Sequence, residues 1–230
     1  TLFFSATIPY QIEKLSKKYL KDPVKLSAEK MVDPTKLTQI YYDVKNNLKL
    51  SLLVHLLKEE DVTLAMVFCN TRRSVDLVVK NLKANGIKAI AIHGGFAQNK
   101  RSKTMETFGD GKISVLVCTD VAARGLHIED VSHIYNYDLP DDSNIYTHRI
   151  GRTARAGKEG KVVNLLCEKD HDNYRRILKE NREYHITKED TPYVKRATFS
   201  RPDDDSSGPR GRSYSNRGRG PPKKRSFRGR

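Results

Sequence analysis

The sequence lacks tryptophan and is poor in sulfur, with three cysteines and three methionines. Cys69, Cys118 and Cys167 show neither paired nor metal-like spacing, which argues against a disulfide framework and against a zinc site. Each cysteine closes a mostly apolar run, so we expect buried, reduced thiols, as in a cytoplasmic protein. We assign no metal ligand.

Long apolar runs are also missing. No stretch approaches the ~20 apolar residues that a membrane-spanning helix needs, and no secretory signal peptide is recognisable. We therefore expect no membrane association. The first residues, Thr1-Leu2-Phe3-Phe4, are typical of a buried strand, and the sequence starts without an initiator methionine. These features indicate a piece of a longer protein.

Acidic residues are outnumbered, 28 against 43 basic residues, and the net charge of +15 favours a polyanionic partner. Residues 201–230 concentrate the excess, with ten basic and three acidic residues. This segment is rich in glycine, serine and proline and cannot bury enough apolar surface to offset the entropy of ordering. Tyr214 and Phe227 add stacking to phosphate attraction. We expect a disordered tail that contacts nucleic acid or protein; a solubilising or localisation segment is the alternative.

Short apolar strands alternate with amphipathic helices from about residue 38 to residue 186. This alternation predicts an α/β fold, a parallel sheet with helices on both faces. Residues 1–31 do not fit the pattern and are interpreted as the remnant of a preceding domain. Residues 32–37, which include Pro34, form the predicted linker, residues 38–187 the main domain and residues 188–230 the basic tail.

Candidate anion-binding residues follow three predicted strands. The first junction is Phe68–Arg73, the second combines His93-Gly94-Gly95 with Gln98 and Arg101, and the third is Thr119–His127. Backbone N–H groups and the helix dipole gather where a strand passes into a helix. Each junction alone could be an ordinary cap or turn. Because parallel strand ends share one edge of a sheet, together they predict an anion-binding rim.

The decapeptide His148–Gly157 has Arg149, Arg152 and Arg155 at intervals of three. In a helix these side chains would share a face, where like charges repel. Their guanidinium groups fit phosphate oxygens, so a polyanion is the predicted target. The alternative is a solvated basic helix end.

In this order, the segments resemble the motifs of DEAD-box ATP-dependent RNA helicases. The matching segments are Ser5-Ala6-Thr7 (the Ser-Ala-Thr motif), Val67–Thr71 (motif IV), His93–Arg101 (the Gln-x-x-Arg element), Thr119–Gly125 (motif V), Tyr135–Pro140 and the decapeptide. The resemblance covers about residues 1–186. It implies the C-terminal RecA-like lobe of such a helicase, with residues 1–31 belonging to the N-terminal lobe.

The resemblance also implies roles for single positions. Arg152 and Arg155 would be arginine fingers toward ATP. Catalysis would further involve His148, which with Arg149 would couple the nucleotide state to the lobe interface. Residues implied near the nucleotide ribose are Gly125 and His127, and those implied to link hydrolysis to strand separation are Ser5 and Thr7. The RNA backbone, regardless of base sequence, would be held by Asn70, Thr71, Arg73, Gly94, Gly95, Gln98, Arg101 and Thr119.

The sequence departs from the family pattern at two positions and lacks three elements. His127 stands where the family commonly has aspartate, and Ala154 where it usually has glycine. No phosphate loop, Asp-Glu-Ala-Asp motif or adenine-selecting glutamine motif is present. The resemblance therefore implies that Mg²⁺ and most of ATP are held through the N-terminal lobe, and that this chain alone does not hydrolyse ATP. The alternatives are a binding module without catalysis and a superfamily 2 helicase that acts on DNA.

Overall fold

The computed structural model describes residues 2–3, 10–24, 26, 36–123, 128, 131–154 and 158–200. The helices are α1 (Tyr10–Tyr19), α2 (Lys49–Glu59), α3 (Arg72–Ala84), α4 (Gln98–Gly109), α5 (Asp120–Ala123), α6 (Ser143–Ile150) and α7 (His171–Glu180). The strands are β1 (Leu37–Asp43), β2 (Ala65–Phe68), β3 (Ala89–Ile92), β4 (Val115–Cys118), β5 (His133–Asn136), β6 (Gly160–Leu166) and β7 (Ile186–Glu189). Short 3₁₀ helices, Asn46–Leu48 and Glu168–Asp170, precede α2 and α7.

The seven strands form one sheet in the order β3-β4-β2-β5-β6-β1-β7, and every neighbouring pair is parallel. Parallel neighbours require crossover connections, and helices supply them here. The predicted α/β fold, with a RecA-like parallel sheet, is confirmed.

Alternate residues of the central strands face two separate apolar cores. In β2, Ala65 and Val67 pack in one core with residues of α2 and α3. Met66 and Phe68 pack in the other core with residues of α4, α5, α6 and α7. Strands covered on both faces are continuously apolar, which is why β2 and β4 contain no polar residue.

Local hydrogen bonds and backbone conformation explain several helix boundaries. Asp142 caps α6, since its carboxylate accepts a hydrogen bond from the backbone N–H of Asn144. Gly86 follows α3 with a φ of +81°, a left-handed conformation that favours glycine. Helix α3 begins at Arg72 because Thr71 caps it by accepting a hydrogen bond from the N–H of Ser74.

The chain beyond β7 continues along the core that contains α2 and α3. The ordered domain therefore extends past residue 187, where the sequence predicted its end. We call residues 190–200 the strap. The backbone N–H of Ala197 donates to Ser51 of α2 at 3.0 Å, and Thr191 donates to the carbonyl of Asp43 at 2.7 Å. Val194 and Ala197 pack against the core that contains α2 and α3. Residues 201–230, the larger part of the predicted tail, lie outside the described residues.

The three cysteines are free and buried, as predicted. Burial raises the pKa of the Cys69 and Cys118 thiols, so neither is a reactive thiolate at neutral pH. Within the described ranges, no helix has the length and apolar character needed to cross a membrane.

Candidate functional site

The predicted junctions meet at one edge of the sheet. Strands β3, β4 and β2 are neighbours, and their carboxyl ends lead into His93, Thr119 and the segment that begins at Asn70. The strand ends therefore share one edge as expected, and anion binding at this rim stays a prediction. A cavity of about 800 Å³ lies elsewhere on this edge, at the ends of β1 and β6, and none of the predicted site residues lines it.

Arg149 is the hub of this edge. Its side chain is only 1% exposed, and it forms a two-point contact with Asp120, with Nε–Oδ1 at 2.7 Å and Nη2–Oδ2 at 2.8 Å. Nη1 donates to Asn136 Oδ1 at 2.9 Å and to the carbonyl oxygen of Asp138 at 2.7 Å. Buried charge is tolerated when it is paired and fully hydrogen-bonded, and this arrangement meets that condition.

Asn70 is held within the protein by both ends of its amide. Its Oδ1 accepts a hydrogen bond from Arg149 Nη2 at 3.0 Å, and its Nδ2 donates to the carbonyl of Leu139 at 2.9 Å. Its backbone N–H donates to Asp138 Oδ2 at 3.2 Å. These contacts fix the segment that leads into α3, so Asn70 orients its neighbours Thr71 and Arg73.

The glycine turn after β3 is shaped by His93. The Nδ1 atom of His93 accepts the N–H of Gly95 at 3.2 Å, and Nε2 lies 3.2 Å from Asp76 Oδ1. A Cβ on Gly94 would lie 3.2 Å from Nη2 of Arg72, so glycine at this position lets the guanidinium approach the turn closely. Arg72 belongs to the predicted junction Phe68–Arg73, although the family resemblance implied no role for it.

Gln98 and Arg101 lie one turn apart at the start of α4. Arg101 Nη1 reaches Gln98 Oε1 at 3.5 Å, and Nη2 donates to the carbonyl of Ala122 in α5 at 3.3 Å. Its Nε is buried without a hydrogen-bond partner among the described residues. The carbonyl of Thr119 accepts the N–H groups of Ala122 and Ala123, which forms the short helix α5. Arg101 thus joins the second junction to the third.

The arginine decapeptide is not one continuous helix. Helix α6 ends at Ile150, and Arg152 lies in the turn that follows, so Arg149 and Arg152 do not share a helical face. Arg149 and Arg152 both line a small pocket together with Asp120 and His148. Arg149 differs in that its side chain is almost completely buried and forms hydrogen bonds to Asp120, Asn136, Asp138 and Asn70.

Several predicted residues lie outside the described ranges. They are Ser5, Thr7, Gly125, His127 and Arg155. No group of three or more histidine, cysteine or acidic side chains that could hold a metal ion is found in the part of the chain that the structure describes.

Comparison with known proteins identifies the family. Residues 48–157 match the model of the helicase conserved C-terminal domain. The Escherichia coli DEAD-box protein SrmB, in a crystal structure bound to regulator of ribonuclease activity A, has 38% sequence identity to this chain. The matched region covers 91% of the SrmB chain and 67% of this chain, with a TM-score of 0.63. The chain belongs to the DEAD-box family.

Other DEAD-box proteins are similarly close. The ATP-dependent RNA helicase RhlB of Psychromonas ingrahamii is 40% identical over 169 residues, which are 73% of this chain and 40% of the relative. The structure of Saccharomyces cerevisiae Dbp5 bound to RNA and ADP BeF3 is 29% identical, with a TM-score of 0.73 over 82% of this chain and 50% of that one. This DEAD-box chain thus spans 40% of the length of its curated relative RhlB.

Proposed function

We propose that this chain is the C-terminal lobe of an ATP-dependent RNA helicase, which binds the RNA backbone and completes the ATP site of a preceding lobe. The observation that carries the proposal is the Arg149 hub. This one buried side chain bonds the segment before α3 and the carboxylate of α5, and α6 leads from it directly into the turn of Arg152. The candidate RNA contacts and the candidate nucleotide contact are therefore connected through the hydrogen bonds of Arg149.

On the nucleotide side, Arg152 and Arg155 would stabilise the negative charge that develops on the phosphates, with His148 beside them. Arg152 fits this task because its guanidinium borders a pocket at the strand edge. An arginine finger contributes roughly 10³- to 10⁵-fold in rate in related systems. When bound, ATP supplies the phosphoryl group whose hydrolysis drives the cycle. The ribose contacts would be Gly125 and His127, and Mg²⁺ would be held through the N-terminal lobe.

On the RNA side, the rim would hold the sugar–phosphate backbone. Arg72 extends the proposed set, which otherwise consists of Asn70, Thr71, Arg73, Gly94, Gly95, Gln98, Arg101 and Thr119. Backbone contacts carry little base information, so binding is expected to be independent of sequence. Ser5 and Thr7, together with Arg149, would transmit hydrolysis to local separation of an RNA duplex.

The test is RNA-stimulated ATP hydrolysis by the full-length protein carrying Arg152→Ala. We expect turnover to fall by about 10³-fold or more, with RNA affinity retained, because Arg152 lies on the nucleotide side of the hub. Arg182→Ala, which removes an exposed arginine just after α7, is the matched control and should keep full activity. Wild-type turnover in the Arg152 variant would refute the finger assignment.

A further inference from the structure

Two asparagine side chains, Asn81 of α3 and Asn85 at its C-terminal end, hold the strap. Each forms two hydrogen bonds with the backbone of one strap residue, as a neighbouring strand would. Asn85 accepts the N–H of Thr198 at 3.0 Å and donates to its carbonyl at 2.9 Å. Asn81, one turn earlier in α3, does the same with Ser200, at 2.7 and 3.1 Å. An extended segment with paired backbone groups presents its remaining side chains in fixed positions.

The outer face of the strap carries aromatic and basic side chains. Tyr193 is 93% exposed and Phe199 is 57% exposed, although large aromatic side chains are usually buried. Lys195 and Arg196 lie between them in sequence and are also exposed. The inward side chains are the smaller Val194 and Ala197. The strap is held in place by residues other than Tyr193 and Phe199, so both rings stay exposed when it is bound to the domain.

Helix α3 spans the distance between the rim and the strap and carries more basic than acidic residues. It carries Arg72, Arg73, Lys80 and Lys83 against one acidic residue, Asp76, which already faces His93. Arg72, at the start of the helix, lies against Gly94 of the rim. From Arg72 to Lys83 the helix rises roughly 17 Å. The strap crosses the far end of this helix, where Asn81 and Asn85 hold it.

We propose that the strap is a second binding surface for single-stranded RNA, on which bases stack against Tyr193 and Phe199 while Lys195 and Arg196 contact phosphates. Aromatic side chains on a basic surface are the usual means of binding single strands without sequence preference. The proposal takes RNA as the ligand from the proposed function. A strand held at the rim would continue along α3 and reach the strap only if it is long enough.

The experiment compares two fluorescently labelled oligouridylates, of about 4 and about 16 nucleotides, binding to the 230-residue chain. The variant is Tyr193→Ala/Phe199→Ala. We expect affinity for the long strand to fall at least about 5-fold, because loss of a stacking contact costs about that much or more, and affinity for the short strand to stay constant. The matched controls are Tyr19→Ala, which removes an exposed ring of α1, and Lys179→Ala on α7, whose helix packs on the opposite face of the sheet.

A second variant, Lys195→Ala/Arg196→Ala, tests the phosphate contacts. The slope of log K against log salt should become shallower by about 1.4 for the long strand, since each neutralised phosphate of a single strand contributes about 0.7. Photocrosslinking of the long strand should also label the peptide that contains Tyr193 and Phe199.

Unchanged long-strand affinity in both variants, or equal losses for both strand lengths, would overturn the strap proposal. Failure of the proposed function itself gives a different result. In that case Arg73→Ala, a change at the rim, would leave the affinity for the short strand unaltered.

Discussion

Ala154 follows the proposed finger Arg152 by two positions and adopts a φ of +53°. The left-handed conformation costs an L-residue about 1–2 kcal/mol, and glycine avoids that cost. The adjacent Thr153 is buried, and its hydroxyl donates to the carbonyl of Val131. A Cβ on Gly160 would lie too close to Thr153, so the packing around this turn depends on small side chains at several positions. The backbone after α6 is held by its surroundings despite the unfavourable φ.

Substitution of Ala154 should reveal this conformation. We expect Ala154→Gly to leave the free energy of unfolding within about 1 kcal/mol of wild type, because relief of the left-handed φ offsets greater chain entropy and a lost buried methyl group. Ala154→Val should cost more than about 2 kcal/mol, since it adds volume at a buried left-handed position. Urea unfolding measures both, and Ala84→Val, in the exposed last turn of α3, should cost less than about 1 kcal/mol. A wild-type-like Ala154→Val protein would contradict the left-handed turn.

At the scale of elements, a buried ion pair ties the start of α2 to the 3₁₀ helix before α7. Lys49 Nζ lies 2.7 Å from Asp170 Oδ2, and both side chains are almost completely buried. The same carboxylate oxygen accepts the backbone N–H of Cys167 at 3.0 Å. Burial by itself would raise the pKa of Asp170, but the hydrogen bond and charge of Lys49, together with the hydrogen bonds from Cys167, outweigh it and lower the pKa. Helices α2 and α7 lie on opposite faces of the sheet, so this ion pair links the two cores.

Breaking the pair should be costly and sensitive to pH. Lys49→Met or Asp170→Asn should each lower the free energy of unfolding by about 3–5 kcal/mol, and the double variant should lose less than the sum of the two. Because the pKa of Asp170 is lowered on folding, its contribution is present above the ordinary value near ~4 and is lost as pH falls below it. Wild type should therefore lose stability between about pH 5 and pH 3 more steeply than Asp170→Asn.

The exposed pair of Lys112 and Asp110 is the control for this double-mutant cycle. Its Nζ–Oδ2 distance is also 2.7 Å, but the side chains are 70% and 46% exposed, so the coupling energy should be much smaller than that of the buried pair. Equal coupling energies for the two pairs would contradict the role of burial.

At the scale of the whole molecule, the net charge of +15 is divided between the described domain and residues 201–230. Deletion of residues 201–230 should weaken RNA affinity and make its salt dependence shallower, because ten basic residues are removed with three acidic ones. Titrations of RNA over a range of salt concentrations measure both effects. If neither affinity nor its salt dependence changes, the tail takes no part in RNA binding.

The sheet could be predicted from the sequence because its buried strands are visible as short, continuous apolar runs. The apolar runs at β2 and β4 allowed strand ends, and hence the rim, to be placed correctly. The arginine spacing, by contrast, gives no sign that Arg149 turns inward toward Asp120.

Two elements escaped prediction for a different reason. Helix α5 has only four residues, too few for a periodic pattern, and Arg101 helps to hold it through the carbonyl of Ala122. The strap has no regular pattern either, because its anchors, Asn81 and Asn85, lie more than 110 positions earlier in the chain. Contacts between distant segments decide both elements, and a single sequence does not display them.

The position of β1 between β6 and β7 also matters during synthesis on the ribosome. The carbonyl of Ile40 accepts a hydrogen bond from Asn164, which lies 124 positions later in the chain. At roughly 5–20 residues per second, β1 waits about 6–25 s for its first partner strand. Strands β2, β4 and β3 can pair well before that. Nascent chains of intermediate length therefore expose the unpaired strand β1 with Leu37, Ile40 and its two tyrosines, and they are the species most open to chaperone capture or aggregation.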